Sequence, residues 1–256
     1  MELVQTLLFI CPMLFIGGLI DGAVGGGGLI ALPAYIMTGM PVHFAYGCNK
    51  LQSCIGTSAS LYRYIKSGLF DKKTALISAI PAILGSFAAT KIILWLNEST
   101  IKIMVIILVP CVLVLMLLKR RQAQGELTHV ELTAKNLSKC LIVGLLLGFY
   151  DGLFGPGGGT IAIMLFTIFF NYDMRVGCGN GKFIIVISNL IAVINYLLRG
   201  NILFEIAIPA TIANVLGSYL GAGLAVKKGT KIVIPFMIFV ISFLIVQTLW
   251  QLISLL

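Results

Sequence analysis

The chain has 256 residues, 59% of them hydrophobic and 11% charged, with a mean hydropathy of +1.06 and a formal net charge of +9. Soluble domains carry roughly 25% charged residues, so these proportions exclude a single large soluble core and point to an integral membrane protein. The positive charge sits on no polar domain with interleaved aromatics, which argues against a nucleic-acid partner and leaves orientation in a lipid bilayer as its use.

Apolar segments are predicted at 3–20, 29–39, 47–65, 74–96 and 101–118. After a polar connection they recur at 140–149, 160–170, 183–198, 206–226 and 232–256. Crossing the hydrocarbon takes about 20 residues. The last three segments of each set reach or approach that length. The first two of each set flank a glycine-rich break and are short, 29–39 and 160–170 most of all. They read as broken or re-entrant pairs, with full spans extended by their flanks as the alternative. The first segment has no basic region before it and runs into glycine rather than a cleavage site, so it is expected to be retained. The expected organisation is a first transmembrane repeat over 1–120, a cytoplasmic linker over 121–138 and a second repeat over 139–256.

The two breaks carry the repeat. Gly18, Asp21, Gly22, Gly25, Gly27 and Gly28 match Gly148, Asp151, Gly152, Gly155, Gly157 and Gly158 without a gap at an offset of 130. Gly47 and Cys48 match Gly177 and Cys178 at the same offset; beyond Gly179 it becomes 132 and pairs Lys50 with Lys182, Tyr64 with Tyr196 and Gly68 with Gly200. Each half then crosses an odd number of times, so the halves face opposite ways. The fold class expected is an all-α polytopic membrane protein built as an inverted structural repeat, each half a glycine-broken hairpin plus three long helices.

Lysines and arginines set the orientation. Counted over alternating segment ends, fourteen fall on one side and four (Lys50, Lys91, Lys102 and Arg199) on the other. The richer side is assigned to the cytoplasm, which places both termini outside a cell inner membrane.

The chemistry lies at the breaks. An ionisable group and glycine-rich backbone at membrane depth are tolerated where protein or a wet cavity satisfies them. If the short segments are helical, the N–H groups of Gly25, Gly26, Gly27 and Gly28, and of Gly155, Gly157, Gly158 and Gly159, start helices whose positive ends favour an anion. Tight helix packing is the plainer reading of any one glycine. Asp21 and Asp151 are candidates for proton coupling or, equally, for capping the following turn. Lys50 and Lys182, placed at the start of longer helices against the dipole, would hold an anion with Asn49 and Asn180, or else snorkel to the interface. Gln52 and Asn189, on the helices that follow, would line the path or bond between helices. The symmetric Cys48 and Cys178 read first as small packing residues. The six cysteines form no CxxC pair, and no metal or cofactor is expected.

These motifs resemble the sulfite exporter TauE/SafE family, also called the four-toluenesulfonate uptake permease superfamily, and within it the YfcA-like branch. The resemblance spans nearly the whole chain. It rests on Gly18-x-x-Asp21-Gly22-x-x-Gly25-Gly26-Gly27-Gly28-Leu29-x-x-x-Pro33, on Asn49-Lys50-Leu51-Gln52, and on Gly148-Phe149-Tyr150-Asp151-Gly152-x-Phe154-Gly155-Pro156. It implies two homologous halves, transport of small anions that are often sulfur-containing (sulfite, sulfonates, sulfoacetate), no enzymatic activity, and an assembly compatible with a homodimer. The expected function is a secondary transporter for such an anion, working by alternating access. The alternatives are an anion channel with the same lining and a transporter of a non-sulfur organic anion. An intramembrane enzyme would need a nucleophile–base pair or metal cluster that two histidines and scattered cysteines do not supply.

Overall fold

The computed structural model describes residues 3–97, 100, 101, 103 and 133–229. The expected spans at 101–118 (but for 101 and 103) and 232–256, and most of the linker 121–138, lie outside the described residues, so the described helices do not bear on the three-part division of the chain. Among the described residues there are eight helices and no strand: α1 (Leu3–Val24), α2 (Gly28–Met37), α3 (Val42–Lys66), α4 (Lys72–Trp95), α5 (Ala134–Leu153), α6 (Gly158–Phe170), α7 (Met174–Leu198) and α8 (Phe204–Lys228). Five of them, α1, α4, α5, α7 and α8, are long and apolar enough to cross a membrane. Their outer faces carry exposed Leu8, Ile80, Leu84, Leu198 and Ile212, apolar surface of the kind that lipid covers and water penalises. α3 has comparable length but turns a polar stripe inward, burying Asn49, Lys50, Gln52, Thr57 and Ser60.

Several helices start earlier than the apolar pattern predicts. α7 begins at Met174, not 183, because Asp173 caps it by accepting the Arg175 N–H at 2.8 Å. The glycine run after that start looks like a loop in sequence but serves close packing instead. A Cβ on Gly181 would lie 2.6 Å from that of Ala162, and one on Gly179 would overlap the Leu69 carbonyl. α3 likewise begins at Val42 instead of 47, and α5 at Ala134, where the Thr133 side chain accepts the Asn136 N–H at 3.3 Å. At their other ends α1 and α5 run on through Asp21 and Asp151 to Val24 and Leu153.

The packing fixes the directions. α1 and α8 run parallel, with Gly18 against Asn214 and Gly22 against Ser218 and Ala222. α4 and α5 run parallel as well, with Gly144 against Ser78, Gly148 against Ala82 and Gly152 against Ser86. Between these two layers α3 and α7 pass antiparallel: Ser53 meets Asn189, Cys54 meets the Val186 carbonyl, and Tyr64 lies beside Gly179. α2 and α6, of 10 and 13 residues, reach only about 15 and 20 Å at 1.5 Å per residue. α2 folds back along α1 with Gly17 against Gly27 and Ala31. The short segments are therefore the returning arms of hairpins whose tips are the glycine breaks.

Candidate functional site

The two tips meet. After α1, Gly25 takes φ +77°, and after α5 its repeat mate Gly155 takes φ +80°, a region that side chains bearing a Cβ rarely occupy. Backbone then touches backbone: a Cβ on Gly25 would stand 2.5 Å from the Gly159 Cα, and one on Gly28 would stand 3.2 Å from the Pro156 Cα. Thr160 Oγ1 closes the contact by donating to the Val24 carbonyl at 2.9 Å. Only glycine allows the chains this close.

Asp21 and Asp151 sit in the last turns of α1 and α5, where the negative end of the helix dipole disfavours a carboxylate. Each is answered by a lysine from the other half. Lys50 Nζ donates to the Asp151 main-chain carbonyl, to Asp151 Oδ2 at 3.1 Å and to Asn189 Oδ1 at 2.9 Å. All three ammonium donors are thereby used. Lys182 Nζ donates to the Asp21 main-chain oxygen at 2.5 Å and approaches its Oδ2 at 3.5 Å. Asp21 also accepts the Thr57 hydroxyl at 3.1 Å and the Gly27 amide at 3.4 Å. Each lysine thus covers both the carboxylate and a helix-end carbonyl. With the two lysines 1% and 2% exposed, such pairing is what makes the burial tolerable, since an isolated charge at this depth is prohibitive.

Three readings change as a result. Lys50 and Lys182 are not first-turn residues: with α3 starting at Val42 and α7 at Met174 they lie two turns inside, beyond the reach of the dipole. Nor do they snorkel to a membrane surface, so each leaves the orientation count, and thirteen against three remains. The N-cap positions of α2 and α6 are Gly27 and Gly157, not the aspartates, although Asp21 does hold the Gly27 amide.

A narrow polar cavity lies between the tips. Of the residues expected at an anion site, Gly25, Gly28, Asn49, Lys50, Gly155, Gly159 and Asn189 line it together with Asp21 and Asp151, and Ser53 and Ile185 complete it. Gly28 and Gly159 belong to the first turns of α2 and α6, where a helix leaves amide donors unused. Gly26, Gly27, Gly157, Gly158, Gln52, Asn180 and Lys182 do not line it. Gln52 stands behind the cavity and donates to Asn49 Oδ1 at 3.0 Å. Asn180 is turned away to accept the Asp71 N–H at 2.9 Å. The volume open to the centre of a water is about 10 Å³, room for about one water molecule. In this conformation the breaks are closed on each other, and an oxyanion does not fit between them.

Two further features escaped the sequence reading. Tyr64 reaches the first break and donates to the carbonyls of Gly22 at 3.2 Å and Ala23 at 3.4 Å, whereas the hydroxyl of its repeat mate Tyr196 is buried without a partner. The pairing of the two tyrosines in sequence was the available signal. Before α4, Asp71 accepts the Tyr172 and Thr74 hydroxyls (the latter at 2.7 Å) and the Lys73 amide at 3.1 Å. Burial pushes the Asp71 carboxyl up, but these hydrogen bonds outweigh it and hold the group below its ordinary value. Cys48 and Cys178 are buried among core side chains, in line with the packing reading.

Long apolar helices, lipid-suited outer faces, and two glycine-tipped hairpins joined at depth by lysine–aspartate pairs define a multi-pass α-helical membrane protein of transporter type. A family profile described as sulfite exporter TauE/SafE matches residues 10–248. The chain belongs to that family. It is 32% identical over 235 residues to a "Probable membrane transporter protein" of Haemophilus influenzae, covering 90% of this chain and 89% of the relative. It is 30% identical over 240 residues to "Probable membrane transporter protein ORF9" of a Sinorhizobium species, covering 92% and 89%. It is 24% identical over 259 residues to "Probable membrane transporter protein YfcA" of Escherichia coli K12, covering 98% and 95%. The family and these relatives are transporters, not enzymes. No solved structure matches the chain significantly.

Proposed function

We propose that this protein is a secondary transporter that carries a small oxyanion, sulfur-containing by the family's description, across the cytoplasmic membrane by alternating access. The observation that carries the reading is the crossing of the charges: each half's lysine is held by the other half's helix break. The antiparallel passage of the repeat mates α3 and α7 supports an inverted repeat and a pseudo-two-fold axis through the glycine tips, and the remaining imbalance of lysine and arginine supports termini outside. Rocking one half against the other then loosens the lysine–carboxylate contact of both pairs together. Two ammonium groups and the first-turn amides of Gly28 and Gly159 become available to a bound anion, all in a low-dielectric setting that strengthens them. A cavity with space for about one water supports a carrier in a closed state over an open channel.

Counterflow is the test. Purified protein in liposomes preloaded with unlabelled sulfite should accumulate labelled sulfite transiently, and trans-loading should accelerate influx. A channel gives no counterflow. Counterflow with small carboxylates and not with sulfite or sulfonates would keep the carrier and replace the substrate class. Absence of counterflow with all of these anions would overturn the reading.

A further inference from the structure

Resting on that reading, we propose that Lys50 and Asp151 form an exchangeable pair: the anion takes the place of the Asp151 carboxylate at the Lys50 ammonium, and Asp151 takes up a proton as it is displaced. Each monovalent anion then crosses with one proton. The two crossed pairs are not equivalent, and the difference selects this one. Lys50 and Asp151 both line the cavity; Lys182 does not. Asp21 keeps the Thr57 hydroxyl and the Gly27 amide when its lysine is withdrawn, and 15% of its side chain is exposed against 3% for Asp151.

Lys50 is already positioned for the exchange. It retains the Asp151 main-chain carbonyl and Asn189 Oδ1 as acceptors, so only the third N–H, now on Asp151 Oδ2 at 3.1 Å, has to change partner. The carboxylate has a smaller reserve, the Ser188 hydroxyl being the donor that remains to it. It faces Lys50 and Cys54 on α3, Asp21 on α1, and the Ser188 hydroxyl on α7, with Tyr150 beside it in the chain. None of these is a second cation, and Asp21 is a like charge. A buried carboxylate left in that company is neutralised by a proton sooner than it stays ionised. The charges balance at every stage: ammonium and carboxylate sum to zero before, and ammonium, anion and carboxylic acid sum to zero after. The proton comes from water on the side where the anion enters, forms an O–H bond at a carboxylate oxygen, and returns to water on the other side when the pair re-forms.

The full-length protein in proteoliposomes with internal pyranine tests this, using methanesulfonate, a strong-acid monoanion at physiological pH. The expected result is one proton entering per anion, at a rate indifferent to a potassium–valinomycin potential. Asp151→Asn should abolish the pyranine signal and make influx follow the potential, while Asp21→Asn should keep a ratio of one proton per anion. Wild-type influx without acidification, or driven by the potential, overturns the inference and leaves transport standing. The same holds if coupling is lost in Asp21→Asn and kept in Asp151→Asn. Sulfite counterflow without any methanesulfonate influx also counts against it, because exchange at Lys50 asks only for a monovalent oxyanion. If neither anion crosses, the transport reading falls and takes this inference with it.

Discussion

Replacing Lys50 by methionine removes the ammonium and keeps much of the side chain's volume. It leaves the Asp151 carboxylate, 3% exposed, without the cation 3.1 Å away. At that separation and an effective dielectric constant of about 20, the lost attraction is about 5 kcal/mol. Removing one partner of a buried pair costs about 3–5 kcal/mol in practice, so both routes give the same scale. Asp151→Asn strands the opposite charge, at a lower cost, because Lys50 keeps the main-chain carbonyl and Asn189. The double variant Lys50→Met/Asp151→Asn buries no charge at all, and replacing a whole buried pair by neutral groups is often close to neutral. Its cost should lie well below the sum of the two single variants, with a coupling energy of about 2–3 kcal/mol. Unfolding in mixed detergent micelles, followed by far-UV circular dichroism, measures all four corners of the cycle. Costs that simply add would show that the two residues do not interact in the folded protein, and the crossed pairing would have to be abandoned.

Three other outcomes are expected from the same geometry. Gly25→Ala places a Cβ at φ +77° and 2.5 Å from the Gly159 backbone; it should cost more than about 1–2 kcal/mol and abolish counterflow. Gly39→Ala, with nothing within 4 Å of its Cβ, should show only the conformational cost; equal transport in the two variants would refute close contact of the tips. Tyr64→Phe should cost about 1 kcal/mol through the lost Gly22 and Ala23 bonds, while Tyr196→Phe, which removes a buried hydroxyl without a partner, should be neutral or stabilising; the reverse order in the micelle assay would refute the asymmetry. Asp71, held below its ordinary value, stabilises the fold at neutral pH; that contribution is fully present above the ordinary carboxylate value, about 3.9, and is lost below it as pH falls through the lower value of the folded protein. Asp71→Asn should flatten that acid limb, and an unchanged limb would place the dependence elsewhere.

The breaks were legible because glycine clusters beside an aspartate have no place in a lipid-facing helix, and because they recur at a fixed offset. The partners of the charges were not. A repeat read along the chain sets Lys50 nearest, in sequence, to the break of its own half, 25 residues after Gly25. The fold instead packs the repeat mates α3 and α7 antiparallel between the two hairpins, which carries each lysine across to the opposite break. No local pattern encodes that exchange; it comes from the antiparallel packing of α3 against α7. The helix starts at Val42 and Met174 were hidden for a local reason. His43 and Arg175 interrupt the apolar pattern, and the glycines at 177, 179 and 181 imitate a loop when their use is close approach. Asn180 was drawn into the expected site by its nearness to Lys182. On α7, however, residues two apart point about 200° apart around the axis, so Lys182 reaches the Asp21 carboxylate while Asn180 reaches the backbone of Asp71. Crossing also explains how charges so costly to bury are kept. Had each lysine paired within its own half, both pairs would ride along as the halves moved and would contribute nothing to the difference between closed and open states. On the proposed alternating-access reading, sharing them between halves makes the closed state self-sufficient and the open one in need of an anion, the differential that a ligand-driven population shift requires.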